Sequence, residues 1–215
     1  MTRIRNIPLR FGLLAATLTL LAPPPSQASS PPDCSSRLAL IGIKTEYSAA
    51  LPAQPYAACI IKEPVVLISI TNPKLSIQFP DRPLLSCAMA ERLARFSMDI
   101  GSPMALSAYA KPLTSISTGP GYECRPRNRK AGAKVSSHGQ GHAVDIMTME
   151  LSGGRKIIIE KPDGAVTVTF LADFRKAACE ALNTVLGPGS DPSHANHIHL
   201  DIEPRGKTGN SKFCQ

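Results

Sequence analysis

Apolar positions change their spacing several times along the chain, and each spacing predicts an element. Residues 38–43 (LALIGI) and 64–70 (PVVLISI) are short apolar runs near proline-bearing loops, which predicts strands or extended segments. Between residues 84 and 100, Leu85, Met89, Leu93 and Phe96 recur at helical spacing, so a helix is expected there, stopped by Gly101-Ser102-Pro103. A second short helix is predicted over 104–110, a strand over 115–122, and a loop rich in Arg, Lys and Gly over 126–134. Residues 144–149 predict a further strand, and Gly153-Gly154 turns the chain. Two more strands are expected at 156–160 and 165–170, the latter alternating Val and Thr. Residues 173–186 predict a helix with Phe174, Ala177, Ala178 and Leu182 facing the core, broken by Pro188-Gly189. A histidine-bearing strand and a polar tail follow. Nothing repeats and no long linker intervenes, so the pattern predicts one α+β domain, a mainly antiparallel sheet with a few helices.

The first residues belong to a different pattern. MTRIRNIPLR holds three arginines and no acid, residues 11–22 are apolar, and PPPSQASS follows. This is the order of a secretory signal peptide cut after Ala28, so residues 1–28 are expected to be removed and 29–215 to form the domain. The apolar run is shorter than the roughly 20 residues of a membrane span, and membrane contact is expected only through an uncleaved signal. The domain then has 187 of the 215 residues, enough for a real core, and its net charge falls from +8 to +5 with the loss of Arg3, Arg5 and Arg10. That excess suits an anionic envelope surface, and equally a generally basic soluble protein. With no tryptophan and 5% aromatics, the composition gives no stacking platform for sugars or single-stranded nucleic acid. Six cysteines in an exported chain predict three disulfides, and the expected set is sequential: Cys34 with Cys59, Cys87 with Cys124, Cys179 with Cys214. No pair is spaced C-x-x-C, so a zinc knuckle or a thioredoxin-type redox pair is not indicated.

The five histidines lie in two clusters, SSHGQGHAVD from Ser136 to Asp145 and HANHIHLD from His194 to Asp201. A catalytic zinc takes three protein ligands and keeps one position open, and imidazole and carboxylate suit it. The first cluster can give His138 and Asp145, the second one histidine. On a strand, His197 and His199 project to the same face, so a metal can take one and leave its neighbour for chemistry. Spacing alone does not choose between them. By the same alternation Asp145 shares a face with Ala143, while His142 points the other way and is read as non-ligating. Asp201, on the face of His197 and His199, can orient an imidazole.

These residues also carry a resemblance. Ser136-x-His138-x-x-Gly141-x-Ala143-x-Asp145 followed by His197-x-His199 resembles the signature of the zinc peptidase superfamily that joins lysostaphin-type enzymes, D-Ala-D-Ala metallopeptidases and the hedgehog amino-terminal domain. Within it the chain is most similar to the bacterial extensin-like carboxy-terminal family. That likeness rests on Gly121-Tyr122-x-Cys124-Arg125, on Ala178-Cys179 and on Val185-Leu186-Gly187-Pro188-Gly189, and covers roughly residues 34–214. It implies that His138, Asp145 and His199 hold Zn2+. The spacing of His194, His197 and His199 is similar to that of penicillin-insensitive murein endopeptidases, which implies His197 as the base and His194 near the developing oxyanion. Related D-Ala-D-Ala carboxypeptidases imply substrate contacts from Arg125 and Ser136. The function implied is an exported zinc metallopeptidase acting on peptidoglycan peptides in the periplasm or envelope. The alternative, suggested by the hedgehog domain, is a zinc-bearing cell-wall binding module without turnover.

Overall fold

The ligand candidates meet because two strands pair in one particular register. The computed structural model describes residues 33–47, 51 and 54–215; the expected signal peptide lies outside them. β6 (Ala143–Leu151) runs antiparallel to β9 (Ile198–Asp201), with Asp145 opposite His199 and Ala143 opposite Asp201. Side chains alternate along each strand. Val144, Ile146, Ile198 and Leu200 therefore enter the core, and Asp145, His199 and Asp201 share the other face.

Around this pair stands a single mixed sheet. The other strands are β1 (Ile43–Tyr47), β2 (Pro64–Asn72), β3 (Leu75–Gln78), β4 (Leu84–Ser86), β5 (Leu113–Thr118), β7 (Lys156–Ile158), β8 (Thr184–Leu186) and β10 (Phe213–Cys214). The main path is β1-β2-β3-β5-β6-β9-β8-β10, with β4 beside β2 and β7 beside β6. Among the described strand pairs, only β3 with β5 and β8 with β10 are parallel, so the mainly antiparallel α+β expectation holds. Helices α2 (Cys87–Phe96), α3 (Ser102–Tyr109) and α4 (Gly164–Ala181) supply much of the remaining core. Phe174 of α4 meets Phe96 of α2 edge-on at 5.0 Å between ring centres. Among the described residues no helix is long and apolar enough to cross a membrane.

Several elements differ from the pattern. Residues 38–43 are not a strand: α1 (Cys34–Ala39) starts under Asp33, whose side chain accepts the Ser36 N–H at 2.8 Å, and β1 begins only at Ile43. Residues 165–170 belong to α4. The Val/Thr alternation there is overridden by a helical face of Thr167, Phe170, Leu171, Phe174 and Ala178, which leaves Val166 and Val168 in solvent. The expected helix over 173–186 therefore begins earlier and ends at Ala181, and Thr184–Leu186 is strand. Likewise 84–86 is strand, and Ser86 caps α2. Gly101-Ser102-Pro103 does not stop the chain: a π-turn, Ser97–Gly101, carries α2 into α3, where Pro103 sits in the first turn and needs no N–H partner.

The disulfides are three, as expected, but two pairings are not sequential. Cys34 joins Cys87 and Cys59 joins Cys124, with Cα separations of 5.9 and 5.5 Å, while Cys179 joins Cys214 as expected. The fold brings partners from distant segments into bridging range, Cys34 on α1 beside Cys87 at the start of α2 and Cys59 beside Cys124 between two loops, and that proximity rather than short loop length selects them. The Cys59–Cys124 bridge braces the chain just ahead of Arg125.

Candidate metal centre

His138 sits on a short 3-10 turn, Ser137–Gln140, that leads straight into β6. The turn ends on Gly141 at φ 63°, where a Cβ would lie 2.7 Å from the Ser86 nitrogen, so a side chain there is strained twice over. The His138 ring is oriented from behind: Nδ1–H donates to the Gly121 carbonyl at 2.6 Å, which leaves the Nε2 lone pair facing the strands. Gly121 in turn has φ 75° and a backbone packed so closely on Leu84 that a Cβ would lie 2.5 Å from the Leu84 oxygen.

Three donor atoms converge in front of that ring. His138 Nε2 is 3.2 Å from His199 Nδ1 and 3.4 Å from Asp145 Oδ1, and His199 Nδ1 is 2.9 Å from the same oxygen. One ligand atom from each residue lies within 4.8 Å of the other two, and the group can hold a metal ion. Two imidazole nitrogens and a carboxylate oxygen, all largely screened from water, are a donor set with room for a further ligand. The far side of His199 is held as well: Nε2 faces Asp201 at 3.4 Å, and Asp201 accepts the Glu203 N–H at 3.0 Å. Asp201 thus has the orienting place expected of it.

Without a metal, a proton takes the place of the cation. Burial alone would push the His199 imidazole down, but its hydrogen bonds to Asp145 and Asp201 outweigh that and raise its pKa from 6.5 to about 9. Burial likewise opposes ionisation of Asp145, and bonds to His138 and His199 overcome it and hold the carboxyl well below its usual range. Two consequences follow for the metal-free protein. The stabilisation from protonated His199 is complete below about pH 6.5 and is lost as pH rises through about 9, so melting temperature should fall across that window. Metal binding at pH 7 should displace about one proton, read as a buffer-dependent heat in calorimetry, and affinity should rise towards pH 9. A buffer-independent heat would show that His199 is already neutral.

All seven candidates line one cleft of about 540 Å³: the three ligand candidates, His194, His197, Arg125 and Ser136. His197 Nε2 is 3.4 Å from Asp145 Oδ1, yet the close ligand group does not include it. Its Nδ1–H donates to the Asn196 side-chain oxygen at 2.8 Å. Burial, followed by the opposing pull of Asp145 and the push of three neighbouring histidines, lowers its pKa. The His194 ring lies beside it, tilted by 59°, with ring centres 5.2 Å apart. A family model for the extensin-like protein C-terminus matches residues 32–215. The chain belongs to the extensin-like protein C-terminus family. No curated protein and no solved structure gives a significant match.

In this extensin-like domain the two substrate candidates are backbone neighbours, since the Ser136 N–H donates to the Arg125 carbonyl at 2.9 Å. Ser136 precedes the 3-10 turn without capping it through its side chain, so its hydroxyl is not spent on the turn. Arg125 does pair with an acid, Nε to Glu123 at 2.7 Å, which commits one edge of the guanidinium. Arg127 and Arg129 of the basic run beyond it also line the cleft, and the acids there are shared: Arg129 binds Glu123 as Arg125 does, and Arg127 and Lys134 both bind Glu203, so the run keeps an excess of positive charge. Glu203 also accepts the Ser137 hydroxyl at 2.7 Å, and Ser137 lies 3.2 Å from Asp201. Ser137, Glu203 and Asp191 were not singled out by the sequence pattern. Asp191 alone left a signal there, as a turn-forming acid three residues before a clustered histidine.

Proposed function

We propose that this chain is an exported zinc metallopeptidase that hydrolyses peptide bonds in peptidoglycan, as a D,D- or L,D-endopeptidase or carboxypeptidase. Its two histidine motifs resemble those of the superfamily that joins lysostaphin-type enzymes, D-Ala-D-Ala metallopeptidases and the hedgehog amino-terminal domain, and that likeness supports the reading. The observation that carries the reading is the convergence of His138 Nε2, Asp145 Oδ1 and His199 Nδ1 on one face of β6 and β9, with His197 beside them in an open cleft. Zinc held there supplies a Lewis acid that acidifies water and polarises a carbonyl.

The chain's own groups do the rest. His197, which burial keeps neutral near pH 7, takes the proton of the attacking water on Nε2 and returns it to the leaving amine. His194 stands at the same rim and faces the carbonyl oxygen as charge develops. Arg125 offers the guanidinium edge that Glu123 does not occupy to a peptide carboxylate, and the Ser136 hydroxyl offers a hydrogen bond to the adjoining carbonyl. Three formed disulfides, with no free cysteine among the described residues, support an oxidising compartment outside the cytoplasm.

The test is digestion of purified peptidoglycan, with and without a chelator and after zinc restoration, with the fragments read by mass spectrometry. Zinc-dependent loss of cross-linked dimers identifies an endopeptidase, and loss of single terminal residues a carboxypeptidase. Intact peptidoglycan in the presence of folded, zinc-loaded protein would leave a binding module instead.

A further inference from the structure

The chain leaving β9 puts an arginine at the end of the cleft away from His197. Along β9 the cleft face carries His199 and then Asp201, with Thr184 of β8 opposite Asp201, and Arg205 reaches back to both. Its Nε–H donates to the hydroxyl of buried Thr184 at 2.6 Å, and Nη2 lies 3.7 Å from Asp201 Oδ2. The guanidinium carbon stands over the Phe213 ring, 5.2 Å from its centre. Phe213 is itself fixed, since β10 pairs with β8 and the adjoining Cys214 is bridged to Cys179 of α4. The guanidinium is therefore set in place before any ligand arrives, which lowers the cost of binding one. Nη1 has no partner among the described residues, and the side chain lines the cleft.

The positive charge of Arg205 is only partly answered within the protein. Asp201, the acid that faces it, already accepts the Glu203 N–H at 3.0 Å and serves His199 at 3.4 Å and the Ser137 hydroxyl at 3.2 Å, and its separation from Arg205 is beyond hydrogen-bond distance. Arg125, Arg127 and Arg129 line the same cleft and share their acids, so the cleft favours a ligand with negative charge. We propose that Arg205 is a specificity-determining residue that binds a carboxylate inside the substrate peptide, distinct from the carboxylate assigned to Arg125. A planar guanidinium on an aromatic floor suits a carboxylate, and an acidic side chain is the group by which a peptide brings one there. The inference deepens the peptidase reading and rests on it for cleavage; a preference for acidic peptide in binding does not need turnover.

The experiment compares two synthetic peptidoglycan stem peptides on zinc-loaded protein, one with its side-chain carboxylates free and one with them amidated. The terminal carboxylate is free in both, so Arg125 keeps its partner. Wild-type protein should prefer the acidic peptide by about tenfold in kcat/KM, the worth of a hydrogen bond between charged partners. Arg205→Gln should cleave the acidic peptide no faster than the amidated one, with cleavage of the amidated peptide unchanged. Arg205→Lys, which keeps the charge and loses the fork, should retain part of the preference. The preference is a ratio within one sample, so a smaller folded fraction in either variant cancels from it. A wild type indifferent to amidation overturns the proposal. So does an Arg205→Gln variant that loses rate equally on both peptides, the result expected if Arg205 does no more than balance Asp201. If wild-type protein leaves both peptides intact, the peptidase reading fails separately, and the same comparison made on Kd by calorimetry decides the assignment of Arg205.

Discussion

His199→Ala should empty the metal site and destabilise the fold at the same time. The substitution removes one donor of three, and it also removes the one group among the described residues whose ring bonds to both Asp145 and Asp201. Asp201 is 1% exposed and Asp145 is screened behind His138, so neither charge regains full hydration. Breaking a buried pair in this way costs about 3–5 kcal/mol, a large part of the stability of a domain of this size. Metal content by mass spectrometry should drop from about one equivalent to none, following the three-ligand requirement, and urea unfolding should shift to lower concentration. His199→Ala protein that keeps both metal and stability would show that the convergence of the three donors is incidental.

His197→Ala should behave in the opposite way, with full metal content and almost no turnover. His197 Nε2 lies 3.4 Å from the same Asp145 oxygen that His199 meets at 2.9 Å, and it falls outside the close ligand group. Losing a positioned general base costs roughly 100- to 10,000-fold in rate. Stability should change little, since the ring's own hydrogen bond is a local one to Asn196. The lowered pKa adds a signature in the wild type: activity should persist below the ordinary histidine range, because protonation of His197 is what ends it on the acid side. A His197→Ala variant that loses metal would make His197 a ligand and remove it as the base.

The contrast between these two neighbours shows what was legible in the sequence. Alternation places His197 and His199 on one side, and alternation around Asp145 separates it from His142; both readings agree with the structure, where Val144 and Ile146 enter the core. Choosing His199 over His197 requires the β6–β9 register, which sets Asp145 opposite His199 and is a long-range property. The same limit explains the disulfides: Cys34 and Cys87 are brought together by α1 and α2, not by loop length. At 165–170 a strand-like alternation lost to a helical face that only the packing of Phe170 and Phe174 on the core reveals. The supports of the site were hidden for another reason. The Gly121 carbonyl is backbone and leaves no mark in residue identity, and Glu203 acts through Ser137 from 66 residues away.

The most direct test of the account is an anomalous diffraction map at the zinc edge from crystals of the zinc-loaded protein. The account predicts one peak within about 2.0–2.2 Å of His138 Nε2, an Asp145 oxygen and His199 Nδ1, with Nε2 of His197 left unbonded. A peak coordinated by His197 in place of His199, or no peak at this site when the protein is saturated with zinc, would contradict it.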